Sequence, residues 1–109
     1  MGKERRRFPR IKVNLPARWE GVVSREEGTI TSLSENGCFV LTAGSVQRKE
    51  LIWLEINLQQ SQVEPISLWA EVVDEAYEIG YAVRFTSSSD EDQARLVNFL
   101  AERLRSITG

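Results

Sequence analysis

The sequence predicts an all-β fold with one helix, a six-stranded antiparallel β-barrel followed by a C-terminal amphipathic α-helix. Three observations predict it. Six short runs enriched in apolar and β-branched residues alternate inward and outward positions. Short polar or glycine-containing connections separate them, as antiparallel neighbours require. The last twenty residues change to helical spacing, and short strands joined by short loops followed by one amphipathic helix indicate a sheet closed or nearly closed into a barrel, with the helix over one open end or face.

Residues 11–20 alternate through Ile11, Val13 and Leu15, a strand in which Pro16 marks an edge or bulge. Residues 21–28, charged and bounded by Gly21 and Gly28, read as a turn. Thr29 to Ser34 is the second strand. Glu35-Asn36-Gly37 reads as a tight turn, because Asn-Gly readily takes positive φ. Cys38 to Thr42 forms the third strand, and Ala43 to Glu50 a polar connection. The fourth strand, Leu51 to Leu58, turns Ile52, Leu54, Ile56 and Leu58 to one face. After a Gln- and Ser-rich loop, Ile66 to Asp74 places Ile66, Leu68, Ala70 and Val72 inward and Trp69 outward. Ile79 to Phe85 is the sixth strand, with Ile79, Tyr81, Val83 and Phe85 inward and Arg84 outward. Ser88 and Glu91 fit a capping box for a helix over about 88–107, and Asp90, Glu91 and Asp92 suit its positive N-terminus. Val97, Leu100, Leu104 and Ile107 form its apolar stripe.

At 109 residues the chain is one domain, residues 11–109, with residues 1–10 as a flexible basic arm. No apolar run approaches the roughly 18 residues of a membrane helix, and no apolar segment follows the basic start as in a secretory signal. Cys38 has no second cysteine to pair with and reads as a buried small hydrophobe, so a cytoplasmic setting is expected. With no histidine and one cysteine, zinc sites and histidine-based triads are excluded, and no carboxylate motif suggests an enzyme.

Charge is unevenly spread. Residues 1–12 hold six basic residues and one acidic; residues 13–109 hold eight basic and fifteen acidic. A basic arm on an acidic body points to an anionic ligand held at one place, whereas a nucleic-acid binder is more often basic over a whole face. The arm reads Arg5-Arg6-Arg7-Phe8-Pro9-Arg10. Pro9 holds Phe8 extended, so Arg6 and Arg10 start roughly 13 Å apart and are able to approach an anion from two sides. The cluster alone is equally well explained as a solvated basic arm.

With Arg6-Arg7-Phe8-Pro9-Arg10 and Ser32-Leu33-Ser34-Glu35-Asn36-Gly37, the chain resembles the PilZ domain family, bacterial receptors for cyclic di-GMP. The first stretch matches the family's Arg-x-x-x-Arg motif, and the second falls on its Asp/Asn-x-Ser-x-x-Gly motif. Gly80-Tyr81-Ala82-Val83-Arg84-Phe85 is similar to the family's last strand. The resemblance implies a non-enzymatic receptor whose ligand, cyclic di-GMP, is held by Arg6 and Arg10, with Arg7 as a third arginine and Arg5 influencing whether one or two ligand molecules are held. Ser32, Ser34 and Gly37 would form the barrel side. Trp69 would either stack on a guanine or cover the barrel; Trp19 and Trp53 are assigned to packing. Arg84 is expected in a surface ion pair, with a phosphate contact as the other option.

Ser32 departs from the family, which has Asp or Asn there. Serine offers one hydroxyl, and losing a hydrogen bond to a charged group weakens binding roughly 10- to 100-fold. Two other readings stay open: a degenerate domain of the family that binds no nucleotide and acts through protein contacts, and a small barrel that binds RNA or single-stranded DNA. No stable nucleic-acid or membrane binding is expected. A chain this short, without an output domain, is expected to act on an effector protein in trans or as a homodimer.

Overall fold

The computed structural model describes residues 9–22, 24–44, 46–59, 64–76 and 79–108. Six strands, β1 (Ile11–Glu20), β2 (Arg25–Leu33), β3 (Gly37–Leu41), β4 (Leu51–Ile56), β5 (Ile66–Ala76) and β6 (Gly80–Ser88), precede one helix, α1 (Asp90–Thr108). The strands close into a barrel in the order β1-β2-β3-β6-β5-β4, every neighbouring pair antiparallel. Closure leaves no sheet edge to protect.

The alternation in the sequence becomes the core. Leu15, Ala17 and Trp19 from β1, Ile30 and Leu33 from β2, Cys38 and Val40 from β3, and Ile52, Leu54 and Ile56 from β4 are all buried, as are Ile66, Leu68, Ala70 and Val72 from β5 and Tyr81 and Val83 from β6. Each fully buried Leu, Ile or Val contributes about 1.5–3 kcal/mol relative to exposure. Trp19 and Tyr81 meet edge to face inside the barrel, with ring centroids 5.5 Å apart.

Four local expectations need correction. The second strand begins at Arg25, so half of the expected turn over 21–28 is strand. Its charges form cross-strand neighbours, Arg18 opposite Glu27 and Glu20 opposite Arg25, the latter an ion pair at 3.4 Å. A ribbon polar on both faces shows no alternation to read. Ile79 is 53% exposed rather than inward; it lies in a turn whose carbonyl accepts a hydrogen bond from the Thr42 N–H. The helix cap is one residue later than expected: the Ser89 hydroxyl accepts from the Asp92 N–H at 3.1 Å. Asp92 turns away from the cap, accepting the Ser67 N–H at 3.1 Å, which ties the helix start to β5.

The apolar face of α1 is also rotated. Leu96, Phe99 and Leu100 are buried, Leu104 packs against them, and Val97 is only half-buried. The spacing of 96, 99, 100 and 104 is the helical i, i+3, i+4, i+8 pattern. The side chain of Ile107 lies outside the described residues. This face packs on β5 and β1. No helix among the described residues is long and apolar enough to cross a membrane.

Candidate functional site

The site takes shape where β1 begins. Ile11 is buried, so its neighbours Arg10 and Lys12 point outward, away from the core. Ile11 pairs with Leu33 and Lys12 with Ser32, which brings the end of the basic arm to the start of the second motif. The Arg10 Nη1 donates to the Ser32 Oγ at 3.2 Å, across 22 residues of sequence. The two predicted halves therefore meet through one member of each. Arg5, Arg6 and Arg7 lie outside the described residues.

Two irregularities aim this corner. The β1–β2 register shifts between Lys12 and Leu15, and the β2–β3 register shifts between Ile30 and Ser32. Each adds one residue to one strand, and such bulges re-aim the side chains beside them. Ser32 is set on the outer wall in this way.

Ser34 behaves differently. Its side chain is buried and its hydroxyl donates to the Asn36 Oδ1 at 2.8 Å, while the Asn36 N–H returns a bond to the Ser34 Oγ at 3.3 Å. The Ser34 N–H also donates to the Gly37 carbonyl at 2.9 Å. Ser34 thus fixes the turn. The Asn36 carbonyl accepts from the Phe85 N–H at 2.9 Å, tying the turn to β6.

The expected positive φ is absent: neither Asn36 nor Gly37 takes one, and Gly37 is the first residue of β3. The need for glycine has another cause. A Cβ at Gly37 would run into the backbone carbonyl oxygen of Val83. The close approach is between two strands, β3 and β6, and it brings Arg84 directly opposite Gly37.

Arg84 points outward and pairs with Glu71 of β5, as expected for a surface ion pair. Phe39, half-buried on the outer wall, sits directly opposite Ser32. It was not singled out in the sequence. The signal was present, since buried Cys38 and Val40 on either side force Phe39 outward. Trp69 is 45% exposed and meets Trp53 edge to face, with centroids 5.1 Å apart. Both indoles lie on the outer wall, so the packing assigned to Trp53 is with Trp69 there. The strand order puts Trp69 on β5, three strand spacings from Ser32 on β2, and its partner Ser87 is five residues along β6 from Ala82, the residue in line with Ser32, so the two are roughly 20 Å apart on the wall. Phe39 and Arg84 are closer to the Arg10–Ser32 contact than Trp69 is.

Beneath this wall Cys38 is fully buried. Burial pushes its thiol well above the ordinary range, with the Arg10 guanidinium pulling the other way. The thiol is therefore kept protonated and unreactive. Two concavities of about 330 and 370 Å³ lie elsewhere, around Arg18 and Glu55, and neither is lined by Arg10 or Ser32. The candidate site is an open wall with a guanidinium folded onto it.

A closed six-stranded antiparallel barrel with a C-terminal helix packed on β5 and β1, and with Arg10 bonded to Ser32 at the head of a Ser-x-Ser-x-x-Gly stretch, defines a small helix-bearing β-barrel domain. The family model of the PilZ domain matches residues 4–102, and the chain belongs to that family. The motility inhibitor MotI/DgrA of Bacillus subtilis superposes with a TM-score of 0.80 at 20% identity, over 95% of this chain and 53% of that one. The MrkH–c-di-GMP complex of K. pneumonia gives a TM-score of 0.71 at 16% identity, over 97% and 55% of the two chains. The PilZ domain of CeSA from a cellulose-synthesizing bacterium gives 0.64 at 15% identity, over 82% and 91%. These likenesses show the fold, and the chain spans about half the length of MotI and MrkH. Comparison with curated protein sequences gives no match.

Proposed function

We propose that this domain is a receptor for cyclic di-GMP, with no catalytic step of its own. The observation that carries the reading is the Arg10–Ser32 hydrogen bond, which joins the arginine motif to the barrel motif at 3.2 Å. Membership of the PilZ family and the fold shared with a c-di-GMP complex support the choice of ligand. Arginine suits both parts of such a ligand: its planar fork grips phosphate, and its face stacks on a base.

In this reading Arg6 and Arg10 grip the ligand from the arm, with Arg7 beside them and Arg5 bearing on stoichiometry. Ser32 faces the ligand from the wall. Ser34 acts through the turn, because its hydroxyl is already engaged by Asn36. Gly37 keeps β3 against β6. Ligand binding crosslinks the arm to the barrel and orders it, a disorder-to-order switch that changes the surface offered to an effector protein in the cytoplasm. The exposed Trp69, Leu51 and Val73 give that effector an apolar place to dock.

Calorimetric titration with cyclic di-GMP tests the reading, with Arg6→Ala and Arg10→Ala alongside. Micromolar or tighter binding, lost in both variants while their melting temperatures hold, is the expected result. No heat and no thermal stabilisation of the wild type at high ligand concentration would overturn it in favour of the protein-interaction reading.

A further inference from the structure

The outer wall carries a second guanidinium on the other side of the motif turn. Arg84 is directly opposite Gly37 on β6, and the next residue, Phe85, donates its N–H to Asn36 of the same turn. Arg10 flanks the motif from the β1 side; Arg84 flanks it from the β6 side. Phe39 lies on β3 between Ser32 and Ala82, so the wall between the two arginines is partly aromatic. Ser32 lies in line with Phe39 and Ala82, and Arg84 is two residues further along β6, so Ser32 and Arg84 are about 12 Å apart on the wall. A ligand with two phosphates is able to place one at each end of that span.

The two arginines differ in what holds them. Arg10 is held by a neutral hydroxyl, and among the described residues it has no carboxylate within ion-pair distance. Arg84 is held by the Glu71 carboxylate, which is itself only 25% exposed, while the Arg84 side chain is 57% exposed. A carboxylate and a phosphodiester present the same pair of acceptor oxygens to an arginine fork. A phosphate already tethered through Arg10 competes at high effective concentration.

We propose that Arg84 is a further phosphate-binding residue of the cyclic di-GMP site, held in reserve by Glu71, which the incoming phosphate displaces. The proposal rests on the receptor reading above. It makes Glu71 an internal competitor that sets the ligand threshold. It also gives the bound state a route to the exposed aromatic face, because Glu71 and Trp69 are two residues apart on β5 and share the outer side. Freeing Glu71 changes the charge beside the Trp53–Trp69 pair.

The test is a double-mutant cycle in the full chain, with Arg84→Ala, Glu71→Gln and both together, read by calorimetry with cyclic di-GMP and by tryptophan fluorescence. A partly exposed ion pair adds little to stability, so all three variants are expected to fold with melting temperatures within a few degrees of wild type. Arg84→Ala should weaken binding about 10-fold, as for loss of one charge-assisted bond. Glu71→Gln should tighten it about 3- to 10-fold, and that gain should vanish in the Arg84→Ala background. The ligand-induced fluorescence change should shrink in both single variants. Binding by Arg84→Ala within twofold of wild type, with Arg10→Ala silent, would overturn the role of Arg84 and leave the receptor reading standing. A gain from Glu71→Gln that persists without Arg84 would overturn the competition. Silence of the wild type and of Glu71→Gln alike would overturn the receptor reading and this inference with it, whereas a silent wild type rescued by Glu71→Gln would support it.

Discussion

The two ends of the barrel solve the same problem in opposite ways. Both carry loops whose backbone donors must be satisfied. At the end away from the motifs, the Glu50 carboxylate accepts from the Val22 N–H at 2.7 Å and from the Gln47 N–H at 2.9 Å, clasping two connections with one side chain. Nearby, the Trp19 Nε1 donates to the Thr42 Oγ1 at 3.2 Å, and that hydroxyl donates to the Glu27 carbonyl at 3.0 Å. A charged acceptor is used up within the fold. At the motif end the charged groups Arg10 and Arg84 are donors, held by a neutral hydroxyl and by the Glu71 carboxylate. Arginine has five N–H donors, so one bond to serine leaves most of them for an anion. In the receptor reading proposed above, one end stays closed and the ligand completes the other.

The contrast predicts opposite phenotypes. Glu50→Ala removes two charge-assisted hydrogen bonds that clasp two connections and, with both donors exposed, should cost about 1–2 kcal/mol, lowering the melting temperature by about 5–10 °C. Its affinity for cyclic di-GMP should be unchanged at a temperature where it is folded. Arg10→Ala should cost under about 0.5 kcal/mol, because its bond is exposed, yet abolish binding. Thermal unfolding and calorimetry on the two variants check this. Equal losses of stability from both would remove the distinction between the ends.

A smaller effect sharpens it. Ser32 stands on the wall, half-buried, with its hydroxyl accepting from Arg10. Ser32→Asn adds a carboxamide with two donors and an acceptor at the same place. Affinity for cyclic di-GMP should rise about 10-fold with little change in melting temperature. Unchanged affinity by calorimetry would show that the shorter side chain is not what limits binding here.

Alternation made the barrel legible, while the pairing of the two motifs was implied by the family resemblance; the register then accounts for the Arg10–Ser32 contact. Ile11, Leu15 and Leu33 face inward, and that alone sends Arg10, Lys12 and Ser32 outward together. Other features depended on partners that are distant in sequence. The reason for Gly37 is the Val83 carbonyl, 46 residues on, and no local turn rule reveals it. Charges from Arg25 to Glu27 read as loop because their strand partner, β1, is what makes them strand. The helix stripe was misplaced by a fraction of a turn, since Val97 and Leu100 fit a helical face as well as Leu96 and Leu100 do. Only packing on β5 and β1 selects between them. Trp53 was assigned to packing without a partner, and its partner, Trp69 on the neighbouring strand, is 16 residues away in sequence.

Tyr81 tests whether the closed end is fully satisfied, and here the smallest effect is expected. Its ring is buried against Trp19, and among the described residues its hydroxyl has no hydrogen-bond partner. A buried hydroxyl without a partner has lost its hydration and gained nothing for it. Tyr81→Phe should therefore be neutral or stabilising by up to about 1 kcal/mol. A clear loss on chemical denaturation would place a partner on that oxygen. The same burial sets a pH dependence. Both Cys38 and Tyr81 are raised in the folded protein, mainly by burial, so both stay protonated there while the unfolded chain ionises. Their contribution is present in full below the unfolded thiol value, about 8.5, and is lost above it. Stability should be flat in this respect up to about pH 8, then fall by up to about 1.4 kcal/mol per pH unit as the thiol of the unfolded chain ionises, and more steeply above about pH 10 as the phenol joins it. Cys38→Ala should remove the first slope and Tyr81→Phe the second, so melting curves from pH 7 to 10.5 separate the two buried groups.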